Sequence, residues 1–215
     1  MYQKNTYDFL EDLAKSESSG NYLAKNTHGY LGKYQMGEEA LVDAGYYNRR
    51  PKGEKYTNKW DNGFTGIDDI YSAEDFLNNP LAQENAIRAY HHAVWGYIKN
   101  EAEKYDGKII NGIKMTKSGM LAGAHLVGHN NLKKYLKSNG KEIPEDANHV
   151  PVEKYIKEYA GYDISEIINY KPQKQEPVDP VEQALINQIM TKFDGIYSRS
   201  EISKLVHDTI SKTPA

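Results

Sequence analysis

Apolar residues recur at helical spacing over much of the chain, between polar and glycine-marked breaks. In NTYDFLEDLAKS, Phe9, Leu10 and Leu13 fall on one face, with Asn5 or Thr6 as the N-cap. Glu38 to Ala44 repeats the pattern with Ala40, Leu41 and Ala44, and Gly45 stops it. Ser72-Ala73-Glu74-Asp75 resembles a capping box before Phe76 and Leu77. Asn79-Pro80 then starts the longest stripe, Leu81, Ala82, Ala86, Ile87, Tyr90, Val94, Tyr97 and Ile98, which predicts a central packing helix out to about residue 103. Thr116 caps KSGMLAGAHLVG, in which Gly119 and Gly123 sit four apart. Glycine inside a helix costs about 1 kcal/mol relative to Ala, so close helix packing or backbone access to a ligand is expected there. Gly128 ends that helix, and the next directs Leu132, Tyr135 and Leu136 inward. Pro151 opens a further helix with Tyr155, Ile156 and Tyr159 facing in.

Two stretches break the helical rhythm. Lys108-Ile109-Ile110, Asn111-Gly112, Ile113-Lys114-Met115 predicts a β-hairpin, since Asn-Gly supplies both positive-φ turn positions. Residues 46–69 are irregular, with Pro51, Gly53, Gly63 and Gly66 as punctuation. Their aromatic content predicts an ordered loop that forms either a groove wall or a packed lid.

The organisation follows. Residues 1–170 form one mainly helical domain of α+β type with a small hairpin, and 171–180 (KPQKQEPVDP) form a linker. Residues 181–215 form a helical hairpin, built first on Val181, Ala184, Leu185, Ile189 and Phe193. Its second helix follows Ser198 and uses Ile202, Leu205, Val206 and Ile210. The turn at Asp194-Gly195 resembles a calcium loop, but Met190 and Lys192 occupy ligand places, so calcium is rejected.

Composition narrows the function. A net charge of -3 with mixed signs argues against nucleic acid as a partner. No segment has the apolar length of a membrane span. Without cysteine there is no disulfide or thiolate metal site. His91-His92 point to different helix faces, and His125 and His129, though four apart, are separated by Gly128 with no Glu between them, so no metal or cofactor is expected. Tyrosine is abundant, 18 against 4 Phe and 2 Trp, and offers an apolar face with a hydroxyl, which suits sugars and equally suits half-buried helix positions.

The chemistry concentrates in Ser16 to Gly37. Glu17 follows Leu13 by four residues and Leu10 by seven, so it projects from the apolar face of its helix. Desolvation disfavours the charged form of a carboxylate, the property a proton donor near neutral pH needs. A helix-end Glu turned into solvent is the alternative.

Glu17-Ser18-Ser19-Gly20-Asn21, then Ala24 and Asn26, then Gly29-Tyr30-Leu31-Gly32-Lys33-Tyr34-Gln35, resembles the first motif of the lysozyme-like lytic transglycosylases and goose-type lysozymes. Its variant form is similar to a subgroup of phage-like and secretion-associated cell-wall hydrolases. The resemblance implies a lysozyme-like fold with Glu17 as catalytic acid. It implies that Gln35 lines the sugar groove, and makes Ser18, Tyr30 and Tyr34 candidate substrate-binding residues. The segment Ala122-Gly123-Ala124-His125 stands where the family has Ala-Tyr-Asn-Ala-Gly. The Tyr-Asn pair is missing, and His125 is the candidate for part of its role. Tyr155 or Tyr159 stands where the family has a late groove tyrosine, and Tyr155 is carried as the candidate.

The activity implied is cleavage of the MurNAc–GlcNAc β-1,4 bond of peptidoglycan with one Glu as acid and base. In transglycosylation the sugar acetamido group assists and the C6 hydroxyl attacks. Goose-type lysozymes add aspartates that hold water, and Asp61, Asp68 and Asp69 are the candidates for a second acid. Hydrolysis and transglycosylation stay open, as does chitin as a further substrate. The rival reading is a non-catalytic wall-binding or structural module, since a fold does not by itself imply its chemistry. The N-terminus has no secretory signal pattern, so action in the periplasm or cell wall implies delivery by a secretion machine or a phage. An immunity protein in the groove, or a delivery component on the C-terminal helices, is then the expected protein partner.

Overall fold

The computed structural model describes residues 4–146 and 148–171, together with the single positions 185, 189 and 209. Nearly all of the expected C-terminal helical hairpin, the turn at Asp194 and nearly all of the linker lie outside the described residues. Within them the protein is mainly helical, with one two-stranded sheet. The order is α1 (Thr6–Ser18), α2 (Glu38–Asp43), a 3-10 turn (Ile67–Asp69), α3 (Ala73–Leu77), α4 (Pro80–Tyr105), β1 (Ile109–Ile110), β2 (Ile113–Lys114), α5 (Lys117–Val127), α6 (His129–Lys137), α7 (Val152–Glu158) and α8 (Ser165–Ile168).

Caps set the helix starts. The Asn5 side chain accepts from the Asp8 amide, and Asp8 returns the bond to the Asn5 amide, a complete capping box. Ser72, Asn79 and Thr116 each accept from the amide three residues on, and Pro80 occupies the first position of α4. The hairpin pairs Ile109 with Lys114 and Ile110 with Ile113, antiparallel, with positive φ at both Asn111 and Gly112.

Helix α4 runs through the centre and packs against α2, α3, α5, α6 and α8. Its buried stripe is Ala82, Ala86, Ile87, His91, Val94, Trp95, Ile98 and Ala102. Two members of the expected stripe are corrected. Leu81 is 69% exposed although its neighbours Ala82 and Gln83 are buried, so it faces away from the covered side of the first turn, and Tyr97 is 41% exposed. Tyr97 instead donates to Asp43 Oδ1 (3.0 Å) and rests against the His129 ring. The four-residue ladder Ile87–His91–Trp95 is buried instead, so a histidine takes a core position.

Helix α5 is almost wholly buried and lies closest to α7. A Cβ added at Gly119 would stand 2.3 Å from the Ile156 carbonyl oxygen, and one at Gly123 would stand 3.0 Å from side-chain atoms of Ile156 and Val152. Of the two explanations for these glycines, close helix packing is the one the structure displays.

The irregular 46–69 stretch is ordered by one buried carboxylate. Glu38, at the start of α2, accepts from the Thr57 amide (3.0 Å), the Trp60 amide (2.8 Å) and the Arg50 guanidinium. Burial opposes its charge, but these donors outweigh burial and hold the carboxyl below its ordinary range. Trp60 stacks on Phe64, with Tyr47 edge-on to both, and Trp60 Nε1 donates to the Gly29 carbonyl (2.8 Å). That last bond ties the aromatic loop to the glycine-rich loop after α1.

Candidate active site

Helix α1 ends at Ser18, so Glu17 sits in its last turn. Phe9, Leu10 and Leu13 bury the α1 face below it, and Glu17 keeps 22% of its side chain exposed. It opens into a cavity of about 740 Å³, of a size that suits a small ligand. Tyr30, Gln35, His125 and Tyr155 line the same cavity. These five, spread from α1 to α7 along the chain, are the sequence candidates that the fold brings together.

Two of them face the carboxylate. The Tyr155 hydroxyl is 3.5 Å from Glu17 Oε1, and His125 Nε2 is 3.7 Å from the same oxygen. Burial and then the Glu17 charge push the Tyr155 phenol well above its ordinary range, so it stays a hydrogen-bond donor. Tyr159 is directed elsewhere: its hydroxyl meets Ser16 Oγ (2.9 Å) and the Asp12 carbonyl (3.3 Å), and its ring packs on Tyr155. Tyr155, not Tyr159, therefore reaches Glu17.

The loop from Gly20 to Gly37 shapes one wall. Gly32 has φ of 74°, and a Cβ there would lie 2.1 Å from Gln83 Oε1. The close approach lets Gln83 Oε1 accept from the Lys33 amide (2.8 Å) while its Nε2 donates to the Tyr22 and Phe76 carbonyls. Gln35 holds φ of 45° and donates through Nε2 to the Gly32 carbonyl (2.9 Å). Such a non-glycine conformation persists only where surrounding bonds impose it.

Other expected site residues lie elsewhere. Tyr34 is 1% exposed, and its hydroxyl donates to Glu84 (2.7 Å). Lys33, next to it, is buried between Glu11 and Glu84. Burial works against the Glu84 charge, but Lys33 and Tyr34 together pull its carboxyl below the ordinary range. The Lys33–Tyr34 pair thus stitches the motif loop to α4 and does not face the cavity. Ser18 donates to the Lys33 carbonyl (2.7 Å), a contact that holds the loop against the end of α1.

The three candidate second acids are also turned away. Asp61 pairs with Arg50, which also holds Glu38. Asp68 accepts from Tyr46 and Asn85. Neither these two nor Asp69 lines the Glu17 cavity. The carboxylates that do line it are Asp146 and Glu158. Asp146 Oδ1 accepts from the amides of Asn148 (2.9 Å) and Val150 (2.7 Å), which orients the group. Only the turn-forming Asp-x-Asn pattern before Pro151 marks this position in the sequence.

Tyr90 packs against the core, as its place in the α4 stripe predicts, and is also a groove residue. It lines the Glu17 cavity and a second cavity of about 450 Å³, and Tyr30, Gly37, Ala40 and His125 are likewise common to both. The two are arms of one groove that meet beside His125. Tyr56 and Asn58 of the aromatic loop line the second arm, so that loop is a groove wall while its Tyr46 and Tyr47 pack inside.

Among the described residues no group of three or more His, Asp or Glu is placed to hold a metal ion, and no helix is long and apolar enough to cross a membrane. Comparison of the chain with protein-family models, with curated proteins and with solved structures finds no match.

Proposed function

We propose that the protein is a peptidoglycan-degrading glycosidase that cleaves the MurNAc–GlcNAc β-1,4 bond with Glu17 as general acid and then base. The observation that carries this reading is the setting of Glu17. It is a half-buried carboxylate inside a two-armed groove, faced by His125 and Tyr155, with Tyr30 and Gln35 of its own motif on the same wall. The groove continues from the Glu17 cavity past His125 into the second arm, which leaves room for an extended chain to run beyond the acid. In the forward step the Glu17 proton goes to the glycosidic oxygen, which leaves with the bonding electron pair. Glu17 then accepts the proton of the attacking hydroxyl. That hydroxyl is the C6 hydroxyl of the sugar in transglycosylation and a water in hydrolysis. Asp146 and Glu158 are the carboxylates suited to hold such a water, because they share the cavity.

Mass spectrometry of the soluble products from purified peptidoglycan tests the reading, with Glu17→Gln as comparison. Anhydro-muramyl ends made only by the wild type mean a lytic transglycosylase. Reducing muramyl ends made only by the wild type mean a muramidase. No products from either protein, together with pelleting on sacculi, would overturn the enzyme reading in favour of a wall-binding module.

A further inference from the structure

Behind His125 lies a second histidine that the catalytic reading does not use. His91 of α4 is 0% exposed. Its Nε2 lies 3.1 Å from His125 Nδ1, and its Nδ1 has no hydrogen-bond partner among the described residues. The rings meet edge to face at 5.1 Å, and Phe9 packs edge to face against His91 at 5.7 Å. The order from interior to groove is therefore His91, His125, Glu17.

A neutral imidazole carries one N–H, and the two choices for His91 are unequal. A proton on Nδ1 would bury an N–H with no acceptor, a cost of about 1–3 kcal/mol. A bare acceptor nitrogen at that place is the lesser penalty. His91 is neutral, because burial and then the neighbouring His125 push its pKa well below the ordinary histidine value. Its proton then belongs on Nε2, where it donates to His125 Nδ1. With Nδ1 of His125 occupied as an acceptor, the ring N–H of His125 lies on Nε2, the atom that faces Glu17.

We propose that His91 is a positioning residue that fixes His125 in the Nε2–H tautomer and aims that N–H at Glu17 Oε1. This rests on the reading of Glu17 as the acid. The consequence is directional. As Glu17 loses its proton to the glycosidic oxygen, negative charge grows on a carboxylate that already has a preorganised donor beside it. The opposite tautomer would place a lone pair against that growing charge. The groups that face His125 are Glu17 from α1, Tyr90 and His91 from α4, and Tyr155 from α7, which approaches through Glu17. Among these only His91 contacts Nδ1 of His125.

The test has a spectroscopic and a kinetic arm. Two-bond ¹⁵N–¹H correlation NMR on the ¹⁵N-labelled full chain reads the tautomer of each ring, with His91→Gln and His125→Gln used for assignment. The expected result is the Nε2–H pattern for both rings in wild type. An Nδ1–H pattern for His125 would overturn the proposal, whether or not the protein cleaves peptidoglycan, so this arm stands apart from the proposed activity. In the kinetic arm, His91→Phe keeps an aromatic ring against Phe9 but has no N–H. It is expected to lower kcat by about tenfold to a hundredfold, the usual scale for partners that orient a working group, with KM unchanged. His91→Gln, whose amide can donate near the Nε2 position, is expected to recover most of kcat. A folded His91→Phe with wild-type kcat, or equal losses in His91→Phe and His91→Gln, would overturn the proposal.

Discussion

One substitution made at two helical glycines should move stability in opposite directions. Gly96 lies in α4, is exposed, and has nothing within 4 Å of the place a Cβ would occupy. Gly96→Ala therefore adds only helix propensity, a gain of about 0.5–1 kcal/mol. At Gly119 the same methyl would lie 2.3 Å from the Ile156 carbonyl oxygen. That atom is backbone, so no rotamer change relieves the clash, and α7 must retreat by roughly an ångström to reach ordinary contact. Overpacking of this kind costs about 1–3 kcal/mol, which exceeds the propensity gain over most of that range. For a domain of this size each kcal/mol moves the midpoint by about 2–4 °C. Scanning calorimetry should then show Gly96→Ala rising by about 1–4 °C and Gly119→Ala falling by up to about 8 °C. Because α7 carries Tyr155, Gly119→Ala should also slow cleavage at temperatures where the protein remains folded. Equal upward shifts for both variants would refute the close α5–α7 approach and the placement of Tyr155 that depends on it.

Further predictions concern the site and the acid side of the stability curve. Glu17→Gln should reduce product formation by at least about a hundredfold, the lower end expected for a lost general acid, while sacculus pelleting is retained. Asp146→Asn should impair cleavage more than Asp61→Asn if water is the acceptor, read as initial rates of reducing-end release; the reverse order would remove Asp146 from the site. The Tyr162 hydroxyl (2.7 Å), opposed by burial and helped by Lys4 (3.0 Å), holds the Asp12 carboxyl down at about 2, from an ordinary 3.8. Its stabilising contribution is therefore complete above about pH 4 and is lost as the pH falls toward 2. The midpoint difference between wild type and Asp12→Asn should shrink over that window, and a difference constant from pH 6 to pH 2 would contradict it.

Much of the local architecture was legible in the chain because its causes are local. Asn5, Ser72, Asn79 and Thr116 cap helices through bonds that span three residues, and Asn111-Gly112 closes its hairpin within a few residues. Glu17 could be placed on the apolar face of α1 for the same reason, since helical periodicity is itself a local property. Periodicity failed where several faces of a helix are covered by different partners. On the 26-residue α4 it selected Leu81 and Tyr97, which are exposed, and passed over His91, which is buried under α5.

The rest was decided by contacts between residues far apart in sequence. Glu17 meets Tyr155 across 138 positions, Lys33 is drawn inward by Glu84 across 51, and His91 meets His125 across 34. Asp146 and Glu158 reach the cavity, while Asp61 and Asp68 are taken up by Arg50 and Tyr46. A carboxylate, a lysine or a histidine carries no local sign of its eventual partner. Its environment is set by whichever elements pack beside it, so the sequence by itself determined the helices and the place of Glu17 on α1, and only the tertiary structure decided which side chains face that carboxylate.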